Sequence, residues 1–114
     1  MADCIFCKIA RYEIPADIVC ETDELLGFRD VSPRAPVHVL IIPKDHIAGI
    51  SSATDDHAEL LGQLLRAAAQ VARNEKIAQS GFRVVINDGL DGGQTVDHLH
   101  VHLLGGRKLT WPPG

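Results

Sequence analysis

Apolar and polar residues alternate without a break from His98 to Leu103, within the stretch DHLHVHLLGG at residues 97–106. Successive side chains of a strand point to opposite faces, so Leu99, Val101 and Leu103 are expected on a core. His98, His100 and His102 then share the other face. At a rise of roughly 3.3 Å per residue, neighbouring histidines would stand about 6.6 Å apart and the outer pair about 13 Å, too far to grip one ion directly. Such a row suits either a two-histidine metal clip or a surface that handles protons and phosphate. VLII, residues 39–42, has no alternation and predicts a strand buried on both faces. Strands are predicted near residues 18–22, 24–29, 38–43, 83–87 and 99–104.

One long helix is predicted from Asp55 to about Lys76, with Thr54 as N-cap. Asp55 and Asp56 suit its positive end, and Arg73 and Lys76 its negative end. Its apolar stripe runs Leu61, Leu64, Leu65, Ala68, Val71 and Ala72, with Gly62 as a weak point or a site of close helix contact. Several strands and one dominant helix make an α+β fold with a mostly antiparallel five-stranded sheet.

Charge and composition narrow the partners. The chain of 114 residues is expected to form one domain, residues 1–114. Fifteen acidic residues against eleven Lys and Arg leave a formal charge of −4, scattered along the chain. That argues against coating a nucleic acid. No apolar run approaches the roughly 20 residues of a membrane helix. The opening MADCIFCKIA, with Asp3 near its head, is too short for a secretory signal. Three cysteines, two of them in one C-x-x-C, do not make a disulfide framework, so the cytosol is the expected compartment.

Two stretches carry chemistry beside the histidines. In INDGLDGGQTVDH, residues 86–98, Gly89, Gly92 and Gly93 allow backbone N–H groups to converge on an anion, with Asn87 and Thr95 adding neutral hydrogen bonds. A plain glycine-rich turn is the bland alternative, and Asp88, Asp91 and Asp97 would have to point away. Cys4-x-x-Cys7 is half of a tetrahedral zinc site whose remaining ligands would be histidines. Two reduced cysteines in a short helix fit it equally simply. No thioredoxin-like βαβ context supports a redox role.

The run from His98 to Leu104 resembles the histidine-triad signature, His-φ-His-φ-His-φ-φ, where φ is apolar. CIFCKI, EIPA, GFRDVSPRAPVHVLIIPKDHI, VVINDGLDGGQ and GGRKLTWPPG extend the resemblance over nearly the whole chain. They favour the histidine triad nucleotide-binding (Hint) branch of that superfamily over its diadenosine-polyphosphate hydrolase branch. The resemblance implies a homodimer with a ten-stranded sheet, a site for purine nucleoside monophosphates, and hydrolysis of nucleoside phosphoramidates. It implies His100 as the nucleophile on phosphorus, flanked by His98 and His102, with His38 in support. Asp30 would accept from ribose hydroxyls, Phe6, Ile9, Phe28 and Val31 would wall the base, and Asn87, Gly93, Gln94 and Thr95 would hold phosphate oxygens. Thr95 stands where the resemblance leads one to expect serine. Trp111 would lie at the dimer interface, close to the partner's site. Relatives with the C-x-x-C motif add one histidine after the third strand and the first of the triad, here His46 and His98, as zinc ligands.

The implied chemistry is coherent. A neutral imidazole can attack phosphorus and divide one hard displacement into two easier ones. A neighbouring histidine of ordinary pKa, near 6.5, could protonate the departing amine, and His102 is the candidate. The route needs no cofactor, leaving zinc a structural part. Bland readings remain for single residues: Phe6, Ile9, Phe28 and Val31 as core, Asp30 as a turn residue, His57 as solvated, Cys20 as a small apolar side chain. Two other functions fit parts of the pattern. A nucleotide-binding regulatory protein would use the same pocket, and a metal-dependent hydrolase would use His98-x-His100 but leave the glycine loop idle.

Overall fold

The central run Val39–Leu40–Ile41–Ile42 splits its side chains between two cores, which is why it shows no alternation. The computed structural model describes residues 4–114, so Asp3 lies outside the described residues. Val39 and Ile41 pack into one cluster with Leu64, Ala68, Val71 and Ala72. Leu40 and Ile42 pack into another with Phe6, Ile9, Leu26 and Phe28. Each Val, Leu, Ile or Phe side chain so buried contributes about 1.5–3 kcal/mol.

The strands are β1 (Ile18–Glu21), β2 (Leu25–Arg29), β3 (Val37–Pro43), β4 (Phe82–Val85) and β5 (Val101–Gly105). All neighbours are antiparallel, in the order β1-β2-β3-β5-β4. A short helix α1 (Ile5–Ala10) covers one face, a long helix α2 (Ala58–Asn74) the other, and α3 (Gly89–Gly92) is one turn in the glycine loop. This is the expected α+β architecture. Among the described residues no helix is long and apolar enough to cross a membrane.

The long helix differs from its prediction at both ends. Residues 55–57 form a separate 3₁₀ turn, and α2 begins at Ala58. His57, expected to be solvated, is half-buried and accepts the Thr54 N–H on Nδ1 at 3.0 Å, closing that turn. At the far end Lys76 takes φ 62°, with Ile77 N–H bonded to Ala72 O and Lys76 N–H to Arg73 O. That is a Schellman end built without glycine, with buried Ile77 supplying its apolar contact. Leu65 falls outside the buried stripe and stays 49% exposed. No other group lies within 4 Å of a side chain built at Gly62.

β5 is shorter than predicted. Leu99 gives its N–H to Ile47 O rather than to a neighbouring strand, so ladder pairing starts at Val101. The alternation survives in the extended approach, and Leu99, Val101 and Leu103 all join the α2-side core. β4 stops at Val85, where Ile86 and Asn87 turn into the glycine loop.

Candidate active site

Hydrogen bonds fix the proton positions along the histidine row. His98 is fully buried, and its Nε2–H donates to Pro43 O at 2.8 Å. His100 Nδ1–H donates to the backbone carbonyl of His98 at 2.7 Å, leaving its Nε2 with a free lone pair. His102 Nδ1 lies 2.9 Å from His38 Nε2. The direction of that bond is set one step back, because Arg34 N–H donates to His38 Nδ1 at 3.0 Å. Neutral His38 therefore carries its proton on Nε2 and donates to His102, which carries its own on Nε2. The His38–His102 contact is a cross-strand diagonal, since Leu40 stands opposite His102 and His38 opposite Leu104.

Burial acts on the titration of three of these rings. Burial, then the His100 and His38 rings, push His102 down to about 4 against the opposing pull of Asp30. Burial also lowers His38 and His98. The sequence reading gave His102 an ordinary imidazole pKa. The structure corrects that expectation, because the ring is desolvated and sits among two other imidazoles.

Beside the row lies a cavity of about 290 Å³ lined by Phe6, Ile9, Phe28, Asp30, Val31, Thr95 and His102 together with residues the sequence did not single out. Those others include Ile5, Ile14, Pro15, Ala16, Leu40 and Val96. Ile14–Ala16 form a loop with no periodicity to read, while Leu40 belonged to the doubly buried run and owes its place to facing His102 across the ladder. Phe6 sets its ring edge-on to Phe28, His98 and His100, with centroids 5.5, 5.9 and 5.1 Å away. Asp30 receives Ser32 N–H on Oδ1 at 2.8 Å, and its Oδ2 lies 3.5 Å from His38 Nε2.

Asn87, Gly93 and Gln94 are in the adjoining loop, not on the cavity wall. Gly89 and Gly93 adopt φ of 72° and 79°, a conformation that favours glycine. Gln94 braces this loop: Nε2–H donates to Ala48 O and Val96 O, and Oε1 accepts Gly89 N–H. Asp88 accepts Ser51 N–H and Oγ–H. Trp111 lies in the tail, 81% exposed.

Cys4, Cys7, His46 and His98 bring four ligand atoms within 4.8 Å of one another. His98 Nδ1 is 3.3 Å from Cys4 Sγ and 3.5 Å from Cys7 Sγ, and His46 Nδ1 is 3.4 Å from Cys7 Sγ. Tetrahedral zinc, with bonds of about 2.3 Å to sulfur and 2.0–2.1 Å to nitrogen, separates such atoms by about 3.5 Å. The His98 Nε2–H bond to Pro43 O aims Nδ1 at the sulfurs, as an outer partner of a ligating imidazole does. The donor set fits a closed structural zinc site. Without metal, burial and the neighbouring Cys4 raise the Cys7 thiol pKa. Asp30, His38 and His102 also have metal-like spacing, but the Arg34 N–H leaves His38 no lone pair at Nε2. What the geometry holds instead is a hydrogen bond from His38 Nε2–H to His102 Nδ1.

The pattern of the HIT domain matches residues 11–109. An uncharacterized HIT-like protein of Synechococcus elongatus is 59% identical over 112 residues, covering 98% of this chain and 97% of that protein. Adenylylsulfatase HINT1 of Arabidopsis thaliana is 53% identical over 96% of this chain and 76% of that protein. The 14 kDa zinc-binding protein of Zea mays is 53% identical over 96% of this chain and 87% of that protein. The crystal structure of a HIT family hydrolase from Legionella pneumophila superposes with a TM-score of 0.97 at 53% identity, covering 98% of this chain and all of that one. With its five-stranded sheet, its histidine row and this match over most of its length, the chain belongs to the HIT domain family.

Proposed function

We propose that the protein hydrolyses nucleoside 5′-phosphoramidates of purine nucleosides through a covalent nucleotidyl intermediate on His100. The observation that carries this reading is the 2.7 Å bond from His100 Nδ1–H to His98 O, which leaves Nε2 as the free nucleophilic nitrogen. The adenylylsulfatase name of the Arabidopsis relative and the hydrolase title of the Legionella structure support hydrolysis at a nucleotidyl phosphorus.

In the first step the His100 Nε2 lone pair forms an N–P bond as the P–N bond to the leaving amine breaks. The departing nitrogen takes a proton from His102. In the free site His102 is held at about 4, so the substrate must raise it. A phosphoryl group brings negative charge beside the ring, which favours the imidazolium, whose Nδ1–H then no longer accepts from His38. Glycine-loop N–H groups, the Thr95 hydroxyl and Asn87 would stabilise charge on the phosphoryl oxygens. In the second step water gives a proton back to His102 as it attacks phosphorus, the N–P bond to His100 breaks, and the nucleoside monophosphate leaves. The apolar wall of Phe6, Ile9 and Phe28 suits a planar base, and Asp30 at the rim suits ribose hydroxyls.

Zinc at Cys4, Cys7, His46 and His98 would hold α1 against the sheet, with no open position for substrate. Assembly as a homodimer is part of the proposal. It is supported by the unpaired outer edge of β4, half-exposed Phe82 on that strand, and exposed Leu65 on α2. Burst kinetics with an adenosine phosphoramidate test the function: a two-step route gives a burst of amine before steady hydrolysis, and release of amine and nucleotide in step throughout argues against it.

A further inference from the structure

The glycine loop stands on two feet, and both rest on one short segment after β3. At one foot Gln94 donates Nε2–H to Ala48 O at 2.8 Å. At the other, Asp88 Oδ1 accepts Ser51 N–H at 3.0 Å and Ser51 Oγ–H at 3.1 Å. These bonds, the Ser51 N–H first, hold its carboxyl below the usual range for aspartate. Between the two anchors lies buried Gly49, in extended backbone at φ −171° that any residue adopts. Space, not conformation, is what calls for glycine there. A Cβ would come within 2.5 Å of Asp88 Oδ1 and 3.3 Å of Gln94 Oε1, so the Asp88 carboxylate would have to leave Ser51 to admit it.

Asp88 stands between Asn87 and Gly89, at the start of the loop whose N–H groups would meet phosphoryl oxygens. A carboxylate left unanchored here would oppose that role twice, by loosening the N–H groups and by offering negative charge to an anion. Two Ser51 donors fix it and satisfy part of its charge. We propose that Asp88, Ser51 and Gly49 form a staple that positions the glycine loop for the phosphoryl group, so that it acts on the chemical step. This rests on the nucleotide-hydrolase reading of the same site. All three are positioning residues, acting through the backbone N–H groups of the loop.

The test makes Asp88→Ala, Asp88→Asn, Ser51→Ala and Gly49→Ala, and measures turnover of an adenosine phosphoramidate. It also follows amide hydrogen exchange at Gly89, Gly93 and Gln94 without nucleotide. These three N–H groups bond inside the loop, so their exchange reads its opening. In Asp88→Ala and Gly49→Ala exchange should quicken roughly tenfold, the worth of a charge-assisted hydrogen bond. A roughly tenfold fall in kcat should accompany it, below the ~10²-fold that a misplacement of about 1 Å can cost, with KM changed far less. Ser51→Ala keeps the N–H bond and should fall between these variants and the wild type. The Asp88→Asn amide oxygen can accept from the same two donors and should restore most of kcat and of the protection. Should Asp88→Ala fail to fold, Ser51→Ala, exposed at the surface, decides by the same two readouts. Wild-type exchange or wild-type kcat in Asp88→Ala or Gly49→Ala, or equal damage in Asp88→Asn, would overturn the staple alone. Failure of the wild type to turn over the phosphoramidate would overturn the nucleotide reading and the staple's part in catalysis together.

Discussion

His100 hangs its Nδ1–H on the backbone carbonyl of His98, 2.7 Å away, while the His98 side chain turns its Nδ1 to Cys4 and Cys7. The residue that sets the tautomer of the proposed nucleophile is thus also a corner of the candidate zinc cluster. The metal site and the catalytic row share a backbone but divide their side chains.

That division predicts separable effects of metal removal. Protein purified without chelators should hold about one zinc per chain, as a closed four-ligand site requires. Stripping it should lower Tm by several degrees and reduce kcat proportionately less, because no ligand position faces substrate. A zinc content well below one, with melting unchanged by EDTA, would return Cys4 and Cys7 to an ordinary helix.

The depressed imidazoles make stability depend on pH in a definite direction. An unfolded histidine titrates near 6.5, whereas folded His102 titrates at about 4 and His38 is also lowered. Below pH ~6.5 the unfolded chain binds protons that the folded chain refuses, so stability should fall progressively between about pH 6.5 and pH 4. Thermal melts across this range should show Tm dropping toward acid, with a smaller drop in His102→Gln. A flat profile would mean that these rings are solvated.

Half-exposed Phe82 on the free edge of β4 and exposed Leu65 on α2 predict self-association. Light scattering at micromolar concentration should give twice the 12.4 kDa chain mass. Leu65→Glu should shift the protein toward monomer without unfolding it, because this side chain lies outside the core. A monomeric wild type at that concentration would remove the dimer from the account.

Gln94 was expected to hold phosphate, yet its amide spans the two ends of the glycine loop, from Ala48 O and Val96 O to Gly89 N–H. Gln94→Ala should destabilise the fold by about 1–3 kcal/mol through the lost bonds. It should lower kcat more than it raises KM for nucleotide, since the base wall on α1 is untouched. Wild-type stability and kcat in this variant would show that the brace is dispensable.

Much of this was legible in the chain because local patterns matched local environments. Alternation at 98–103 placed Leu99, Val101 and Leu103 in the core, and the unbroken run at 39–42 marked the strand shared by both core clusters. The features that escaped depend on contacts distant in sequence or on backbone geometry. The Schellman end at Lys76 has no glycine to announce it, and the 3₁₀ turn at 55–57 is held by the side chain of His57. The depressed pKa of His102 comes from desolvation and from His38, 64 positions away along the chain. The link from Arg34 through His38 to His102 exists only once β3 lies beside β5.

The central claim is that His100 becomes covalently nucleotidylated. Intact-protein mass spectrometry after rapid acid-free quenching of a reaction with an adenosine phosphoramidate measures it directly, with His100→Ala as the comparison. The account predicts a transient gain of one adenylyl group on the wild type. His100→Ala should show no such gain and less than a few per cent of wild-type kcat, yet bind AMP within an order of magnitude of the wild type. An adduct on another residue, or full turnover by His100→Ala, would contradict it.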